Sequence, residues 1–409
     1  MVRDTTKPHR IRRVLLVSAD GIAPNPTGSG NRAIRWGLLD GLIRCHVDVG
    51  FYVAAAPGRH AADFDSANAH FSQNGARFWL DQPGPVVSSD SVAALSNALK
   101  TFQPDLVLAY GLEPLRLVRA TGFVGLVGVM SIDLEHIGGL HRYVYNLRFG
   151  RAKQRLKSLL QTPLVVATAL QLRYEMGRDY PKADLVVNHA ANHANWHRAH
   201  HGRPTLYTPN PMAPVSGGLC QDVPKTPARF LLVGGIGGIA TLTGLAWFAK
   251  RVYPLIEAAI AGGEIEVYLV GRGQLEPSLD KLMPRVVRRG YVDDLKEEMR
   301  GVTALLVPTP IPLGFRTRIL DAFRHRVTVV AHRANSAGMP ELEHGRNALL
   351  AATPDEFASA MMQLRQAPAD AVQLARAAYE QFEAGLNGAA TAQRILEFSH
   401  EVLAKRTND

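Results

Sequence analysis

The chain has 409 residues, of which 46% are hydrophobic and 20% charged, a composition typical of soluble globular proteins and sufficient for two domains of about 200 residues each. Its formal net charge of +10 and pI near 9.7 indicate an anionic partner, which leaves nucleic acid, an anionic membrane surface and a phosphorylated substrate open. Two cysteines are too few for a disulfide framework or a zinc site. No window approaches the roughly 20 apolar residues of a membrane helix, and the basic, polar start is unlike a signal peptide. We therefore expect a cytoplasmic protein.

The chain opens with a strand, loop, helix and strand. The pattern predicts strands at 13–19 and 47–55, a Gly- and Pro-rich loop at 20–31 and a helix at 32–43. This order is typical of a doubly wound parallel sheet, in which ligands bind at the carboxyl ends of the strands. Gly28, Ser29 and Gly30 would let a ligand approach the backbone, with Arg32 at the start of the helix. The alternative is an ordinary turn, and the G-x-G-x-x-G dinucleotide fingerprint is not met.

Further strands are predicted at 104–109 and 125–131, with a helix at 91–102 before them. Asp133 and His136 follow the second of these strands, at the end where catalytic groups of such sheets lie. We therefore take Asp133 and His136 as catalytic candidates and Arg142, a little further on, as a binding candidate. The alternative is that Asp133 caps a helix among solvated neighbours.

The segment after His136 is strongly basic. No Asp or Glu occurs from residue 137 to residue 174, whereas seven Arg and Lys do, and apolar residues interrupt them with loose helical spacing. Such a basic helix could lie on an anionic bilayer, and the alternative is a solvated basic face. Nucleic acid fits less well, because no helix-turn-helix, RNP or zinc-finger pattern accompanies the charge.

Four histidines at 189, 193, 197 and 201 follow a strand predicted at 182–188. On a helix they would lie along one face, and pairs with this spacing can bind zinc. With neither carboxylate nor cysteine near, we expect no metal here and favour a surface row or contacts to an acceptor phosphate. Residues 208–228 are rich in proline and predict the boundary between two domains.

The second half repeats the α/β rhythm. A strand at 229–233 is followed by four glycines within 234–238 and a helix at 242–261, which is a backbone-lined cradle suited to a diphosphate, or else a flexible turn. A strand at 266–270 ends in Gly271 and Arg272. A strand at 304–307 leads through a Pro-rich bend to Gly314 and a helix, whose start would bring Arg316 and Arg318 to a phosphate and Asp321 to sugar hydroxyls.

The run Gly314 to Ala322, GFRTRILDA, resembles the G-x-R-x-K-I-L-E-A signature of GT-B glycosyltransferases related to family four, the retaining nucleotide-sugar enzymes. Asp321 replaces the usual Glu and Arg318 the usual Lys, and Leu313 stands where many relatives have another Glu. The resemblance also covers a "GxVxD" element at 290–294 and most of 229–362. It implies an α/β fold of the GT-B type: two Rossmann-like doubly wound domains facing a cleft, with a C-terminal helix crossing back to the first.

The resemblance implies a domain division: an acceptor-binding domain at 1–212, a linker at 213–228, a nucleotide-sugar-binding domain at 229–385 and the returning helix at 386–409. It also implies a set of donor-binding residues, with Arg316 catalytic beside Asp133 and His136, and no cofactor or metal besides the nucleotide sugar as co-substrate. The donor-binding residues are Gly235, Gly237, Gly238, Gly271, Arg272, Tyr291, Val292, Gly314, Phe315, Arg316, Arg318 and Asp321. The acceptor, a lipid-linked or phosphorylated saccharide, would meet Gly28, Ser29, Gly30, Arg32 and Arg142. Two rivals remain: a non-catalytic sugar-nucleotide-binding scaffold and a nucleic-acid-binding protein.

Overall fold

The computed structural model describes residues 10–22, 30–54, 61–82, 84–131, 133–150, 152–215, 226–292 and 294–408. The chain forms two compact units. The first unit comprises residues 1–134, 172–213 and 386–409, and the second comprises residues 135–171 and 214–385. Each unit is therefore assembled from separate stretches of the sequence.

The strands of the described residues are β1 (Arg13–Ser18), β2 (Asp48–Val53), β3 (Arg77–Leu80), β4 (Leu106–Tyr110), β5 (Leu126–Ser131), β6 (Leu185–Asn188), β7 (Thr205–Tyr207), β8 (Ala228–Val233), β9 (Ile265–Val270), β10 (Val287–Gly290), β11 (Ala304–Val307), β12 (Val329–His332) and β13 (Leu349–Ala351). The α-helices are α1 (Gly30–Arg44), α2 (Ala61–Phe71), α3 (Ser89–Phe102), α4 (Leu112–Ala120), α5 (Glu135–Phe149), α6 (Ala152–Leu160), α7 (Thr162–Asp179), α8 (Ala191–His201), α9 (Ile239–Trp247), α10 (Tyr253–Ala261), α11 (Pro277–Asp280), α12 (Leu295–Met299), α13 (Thr317–Arg324), α14 (Pro354–Gln366), α15 (Pro368–Gln381) and α16 (Gly388–Asn408). Single 3-10 turns occur at Ser72–Asn74, Tyr180–Lys182 and Arg333–Ala337, and π-helical turns at Phe248–Val252 and Phe382–Leu386.

The first unit is built on a seven-stranded parallel sheet with the order β3-β2-β1-β4-β5-β6-β7. Its central strands read as continuous apolar runs because both faces are covered, and residues 14–17 of β1 have no exposed surface. The strand order reverses between β1 and β4. This reversal is the topological switch point at which doubly wound sheets bind ligands.

Helix α16 completes the first unit by packing along α1. The contact is close because α1 presents glycines to it: a Cβ built on Gly41 would lie 2.2 Å from the carbonyl oxygen of Gly388. Met212 and Asn387 form an isolated parallel bridge, and the Gly388 amide donates a hydrogen bond of 2.9 Å to the Met212 carbonyl. The chain segments that flank residues 214–385 are thereby held side by side.

The second unit contains a six-stranded parallel sheet with the order β10-β9-β8-β11-β12-β13. Its order again reverses at the first strand, between β8 and β11. The predicted α/β architecture of two doubly wound, Rossmann-like sheets is confirmed. No helix of the described ranges is long and apolar enough to cross a membrane.

Residues 135–171 differ from the predicted division, which placed them in the first domain. Helix α5 packs on α9, and Tyr145 lies in the apolar core of the second unit. The ammonium of Lys250 lies 4.6 Å from the centre of the Phe149 ring, which adds a cation–π contact. The basic segment is also not one helix, because α5 ends at Phe149 and α6 begins at Ala152.

The prediction that the four histidines form a surface row is wrong, because α8 turns that face inward. His189, His193, His197 and His201 are all buried in the first unit. The ring of Tyr180 stacks on His197, with centroids 5.1 Å apart, and the Ser131 hydroxyl lies 3.0 Å from Nε2 of His197. Their spacing therefore produces a packed polar face, and the described residues contain no cluster of His, Cys, Asp and Glu that could hold a metal ion.

Candidate functional site

The switch point of the second unit gathers the loops that follow β8, β9 and β11. The loop after β8 lies against the loop after β9: the Ile236 amide donates to the Arg272 carbonyl at 2.9 Å. Gly271 has a φ of 153°, and a Cβ there would lie 1.9 Å from the Gly234 carbonyl oxygen. Only glycine allows this approach. The shape of the predicted glycine loop at 234–238 thus depends on its contact with Gly271, which follows the end of β9.

The remaining glycines of that loop have space around them. Gly238 precedes the first residue of α9, and its amide closes a turn onto the Gly235 carbonyl at 2.9 Å. A Cβ built on Gly235 or Gly237 would meet no atom of the described residues within 4 Å. Packing within the unit therefore does not explain glycine at these two positions, whereas the close approach of a ligand to the backbone would.

Arg318, in the first turn of α13, contacts the end of β8 and the start of α9 at the switch point. Its guanidinium donates to the Val233 carbonyl at the end of β8 and to the Thr241 hydroxyl in the first turn of α9, the latter at 2.8 Å. Burial and the neighbouring charge of Arg316 lower the pKa of Arg318 to about 10. Arg318 still carries its charge at neutral pH, and Val233, Thr241, Pro308 and Arg318 line a small cavity at this point.

The loop after β11 carries Gly314, Phe315 and Arg316. Gly314 has a φ of 87°. A Cβ built on Gly338 would lie 2.4 Å from the carbonyl oxygen of Gly314, so this loop and the segment after β12 are in backbone contact. Phe315 is buried, and Arg316, which precedes α13, donates to the Leu313 carbonyl. Arg316 and Arg318 thus place two cations beside the switch point, as expected for a phosphate-binding loop.

Two polar side chains that the sequence did not single out hold this loop. The Thr309 hydroxyl donates to the Ala240 carbonyl of α9 at 3.1 Å, and the Asn335 amide donates to the carbonyls of His332 at 2.7 Å and Thr309 at 3.3 Å. Both side chains are buried. The sequence signals that could have identified them are a threonine between two prolines and an asparagine after a strand end, because both residue types often bind backbone groups in loops.

Asp321 lies in α13 with its carboxylate beside Arg324, whose Nη2 and Nε are 2.8 Å and 3.0 Å from Oδ1. Both side chains are buried. The predicted contact with sugar hydroxyls would have to use the acceptor capacity that remains on this carboxylate. Its role as a sugar ligand stays a prediction.

Arg272 and Tyr291 of the predicted donor set lie together. The guanidinium carbon of Arg272 is 4.6 Å from the centre of the Tyr291 ring, and the Gly271 amide donates to the Gly290 carbonyl at 2.8 Å. Tyr291 is exposed and Val292 half-buried. The end of β10 thus offers an accessible aromatic face that a cation orients, which suits stacking against a flat ligand.

Helix α5 contributes to the same unit. Arg142 donates to the Gly237 carbonyl of the glycine loop, so it lies on the predicted donor side, in contrast to the acceptor-side position expected from the sequence. His136 is buried at the start of α5. His141, which sequence reasoning missed, lies near Arg316: burial and that positive charge lower the pKa of its imidazole, so His141 is neutral at pH 7.

The candidates of the first unit lie near its own switch point. The Asp20 carboxylate is 3.8 Å from Nε of Arg32 and 3.1 Å from Nη1 of Arg35. Arg35, a second residue that the sequence analysis missed, is buried and its guanidinium carbon lies 5.0 Å from the centre of the Tyr110 ring. Gly30 begins α1, whereas Gly28 and Ser29 lie outside the described residues.

Asp133 follows β5 in the first unit. Its side chain is 64% exposed, and Oδ1 lies 3.9 Å from Nδ1 of the buried His193. An exposed carboxylate beside a strand end is accessible to a substrate. Asp133 therefore has the position expected of it, and its catalytic role remains a prediction.

This chain is similar to known proteins in part of its sequence and in its fold. Residues 227–367 match the family model "Glycosyl transferases group 1", which spans the switch point of the second unit. No curated protein matches the sequence. Among solved structures, the chain is similar to HepE of Anabaena in complex with UDP, with a TM-score of 0.60 and 16% identity over 94% of this chain and 98% of that chain.

Two further structures have the same fold. Sucrose-phosphate synthase from Thermosynechococcus elongatus has a TM-score of 0.63 and 16% identity over 96% of this chain and 100% of its own. TarM has a TM-score of 0.65 and 9% identity over 96% of this chain and 99% of its own. Sequence, geometry and comparisons agree on the GT-B fold, and residues 227–367 match the family model of the glycosyl transferases group 1.

Proposed function

We propose that this chain is a retaining glycosyltransferase that moves a sugar from a nucleotide-diphosphate sugar to an acceptor hydroxyl, in the synthesis of a bacterial surface polysaccharide or glycolipid. The observation that carries the proposal is the arrangement at the β8–β11 switch point, where an open glycine loop lies beside Arg318 and Arg316 lies close to Arg318. HepE was solved with UDP and with UDP-glucose, which supports a nucleotide sugar as the donor class. Retention is what the resemblance of the 314–322 motif implies.

The donor diphosphate would bind the backbone amides of Gly235 and Gly237 and the guanidinium groups of Arg316 and Arg318. Backbone amides at a helix start and fixed cations stabilise phosphate oxygens without rearranging. Because Arg318 is already held by Val233 and Thr241, little side-chain entropy is lost when the phosphate arrives. Negative charge that develops on the leaving diphosphate would be offset by these cations, so we propose a reaction that needs no metal.

The base and ribose would lie toward the end of β10, where Tyr291 is exposed, and Asp321 would accept from the ribose. The acceptor would be a lipid-linked or phosphorylated saccharide. Asp133, Arg32 and Gly30 of the first unit are the residues proposed to meet it, with Asp133 and His136 beside the reacting hydroxyl. The enzyme would work in the cytoplasm, peripherally on the inner face of the membrane.

A thermal-shift screen with UDP, GDP, ADP and dTDP sugars tests the donor site. A ligand that binds only the folded chain stabilises it by RT ln(1 + [L]/Kd), about 2.7 kcal/mol at a hundredfold excess over Kd. We expect one nucleotide class to raise the melting temperature in wild type and not in Arg316→Gln. The control is Arg346→Gln, which removes an exposed arginine paired with Glu343.

Transfer is then measured with the radiolabelled donor so identified, with lipid-linked and phosphorylated saccharides as acceptors, with and without EDTA. Product formation that survives EDTA supports the proposal. Binding without transfer or hydrolysis would favour a sugar-nucleotide-binding scaffold. Binding to RNA or DNA that falls steeply with salt, together with no thermal shift by any nucleotide sugar, would favour the nucleic-acid alternative.

A further inference from the structure

Helix α6 has an inverted pattern of burial. Ser158 is the one buried residue among its nine, whereas Leu156, Leu159 and Leu160 are each more than half exposed. Their spacing of i, i+3 and i+4 places them on one side of the helix. An amphipathic helix normally turns such a side toward the core. In this unit the apolar side faces outward.

The first part of α7 extends this apolar surface within the second unit. Leu164, Val166 and Leu170 are all exposed there. We call the exposed residues Leu156, Leu159, Leu160, Leu164, Val166 and Leu170 the leucine face. A group of exposed apolar side chains on two consecutive helices marks a binding surface, because single exposed leucines are common and clusters are not.

The stretch of sequence that carries the leucine face has charge of one sign. Residues 137–174 contain neither Asp nor Glu, and Arg148, Lys153 and Lys157 are exposed on α5 and α6. A second copy of this chain using the same face would bring cations against cations, which disfavours self-association there. An anionic lipid surface satisfies both features, since its headgroups attract the cations and its acyl region accepts the leucines.

We propose that the leucine face is the surface through which this protein docks on an anionic bilayer, with α6 lying in the interface. The inference deepens the proposed function, because a lipid-linked acceptor is found at such a surface. Docking would hold the second unit, and the donor site it carries, close to the membrane.

The test uses the full chain and sedimentation with vesicles. Vesicles of phosphatidylglycerol and phosphatidylcholine are compared with vesicles of phosphatidylcholine alone, over a range of sodium chloride concentrations. The triple variant Leu156→Asn/Leu159→Asn/Leu160→Asn is matched by Leu255→Asn/Leu282→Asn, which changes two exposed leucines elsewhere in the same unit. A further variant, Lys153→Glu/Lys157→Glu, leaves every leucine in place and covers the case in which the triple variant does not fold.

We expect wild type to bind the anionic vesicles and to lose binding as salt screens the cations. The partition coefficient should fall about tenfold or more in the leucine variant and in the lysine variant, and remain unchanged in the control pair. The thermal shift by the donor nucleotide should be the same in all of them, so a failure of docking and a failure of the proposed function are distinguishable.

Three results would overturn the inference. One is equal binding of wild type, both test variants and the control. Another is a dimer in analytical ultracentrifugation that the leucine variant converts to a monomer, since the face would then be an interface between copies. The last is RNA binding lost with the lysine variant while wild type ignores anionic vesicles.

Discussion

A substitution at Gly237 should weaken ligand binding at the donor loop with little effect on the stability of the fold. A Cβ at this position meets no described atom within 4 Å, and its φ lies outside the left-handed range that favours glycine. The substitution Gly237→Ala should therefore change the free energy of unfolding by no more than about 1 kcal/mol. If a diphosphate approaches this backbone, however, the new methyl group occupies its place, and we expect donor affinity to fall by at least about tenfold, which is 1.4 kcal/mol.

Gly271→Ala is the opposite case in the neighbouring loop. Its Cβ would lie 1.9 Å from a backbone oxygen, and the φ of 153° is strained for any residue with a side chain. Backbone strain and the forced shift together should lower the free energy of unfolding by about 2–5 kcal/mol. Gly177→Ala, in open space on α7, serves as the control that should leave nucleotide affinity unchanged and raise the free energy of unfolding by no more than about 1 kcal/mol.

The assay combines denaturant unfolding with calorimetric titration of the nucleotide sugar that the screen identifies. Gly237→Ala should unfold like wild type and bind at least tenfold more weakly, whereas Gly271→Ala should unfold at lower denaturant. Wild-type affinity in Gly237→Ala would refute the inference that a ligand occupies the space beside that glycine. Equal stability of Gly271→Ala and wild type would show that the two loops do not touch as described.

Three further outcomes are expected. Burial lowers the pKa of His189 from 6.5 to about 4, so on acidification the unfolded chain takes up the proton first and the free energy of unfolding falls by about 3 kcal/mol between pH 6.5 and 4. His189→Asn keeps a donor to the Thr208 carbonyl and should show a smaller drop in the denaturant midpoint of unfolding between pH 7 and 4.5. A drop equal to that of wild type would contradict this expectation. Arg318→Gln removes a charged donor to Val233 and Thr241 and should weaken nucleotide binding at least about tenfold by calorimetry, with Arg346→Gln unchanged; equal affinities would exclude Arg318 from the donor site. Gly41→Ala should lower the free energy of unfolding by about 1–3 kcal/mol, since its methyl group forces α1 away from α16, and wild-type stability would refute that contact.

The sequence predicted the parts of the fold whose signal is local. The apolar runs at β1, β4 and β8 and the punctuating glycines at 234–238 identify buried parallel strands and their ligand-side loops, because a strand covered on both faces must be apolar throughout. The positions of Arg316 and Arg318 at a helix start follow from the same reasoning. These features required no knowledge of distant contacts.

The features that the sequence analysis predicted wrongly or missed all depend on contacts between residues that are far apart in the sequence. Nothing in residues 135–171 indicates that Tyr145 packs in the core of the second unit, since an amphipathic helix does not specify which sheet it covers. His193 and His197 have the spacing of ligands, yet neighbours such as Tyr180 on another element determine that they are packed. His141 and Asn335 contribute to the donor loop through tertiary neighbours, so their types alone could not identify them.

The return of the chain through Asn387 has a practical consequence for dissecting this protein. Three separate stretches of sequence make the first unit, so no continuous fragment contains it. A polypeptide ending at residue 212 would expose the side of α1 that α16 covers, including the apolar surface now shielded by Ile395 and Leu396. Independent production of either unit would require joining or co-expressing its separate stretches of sequence. An affinity tag at the carboxyl terminus would be attached to the first unit.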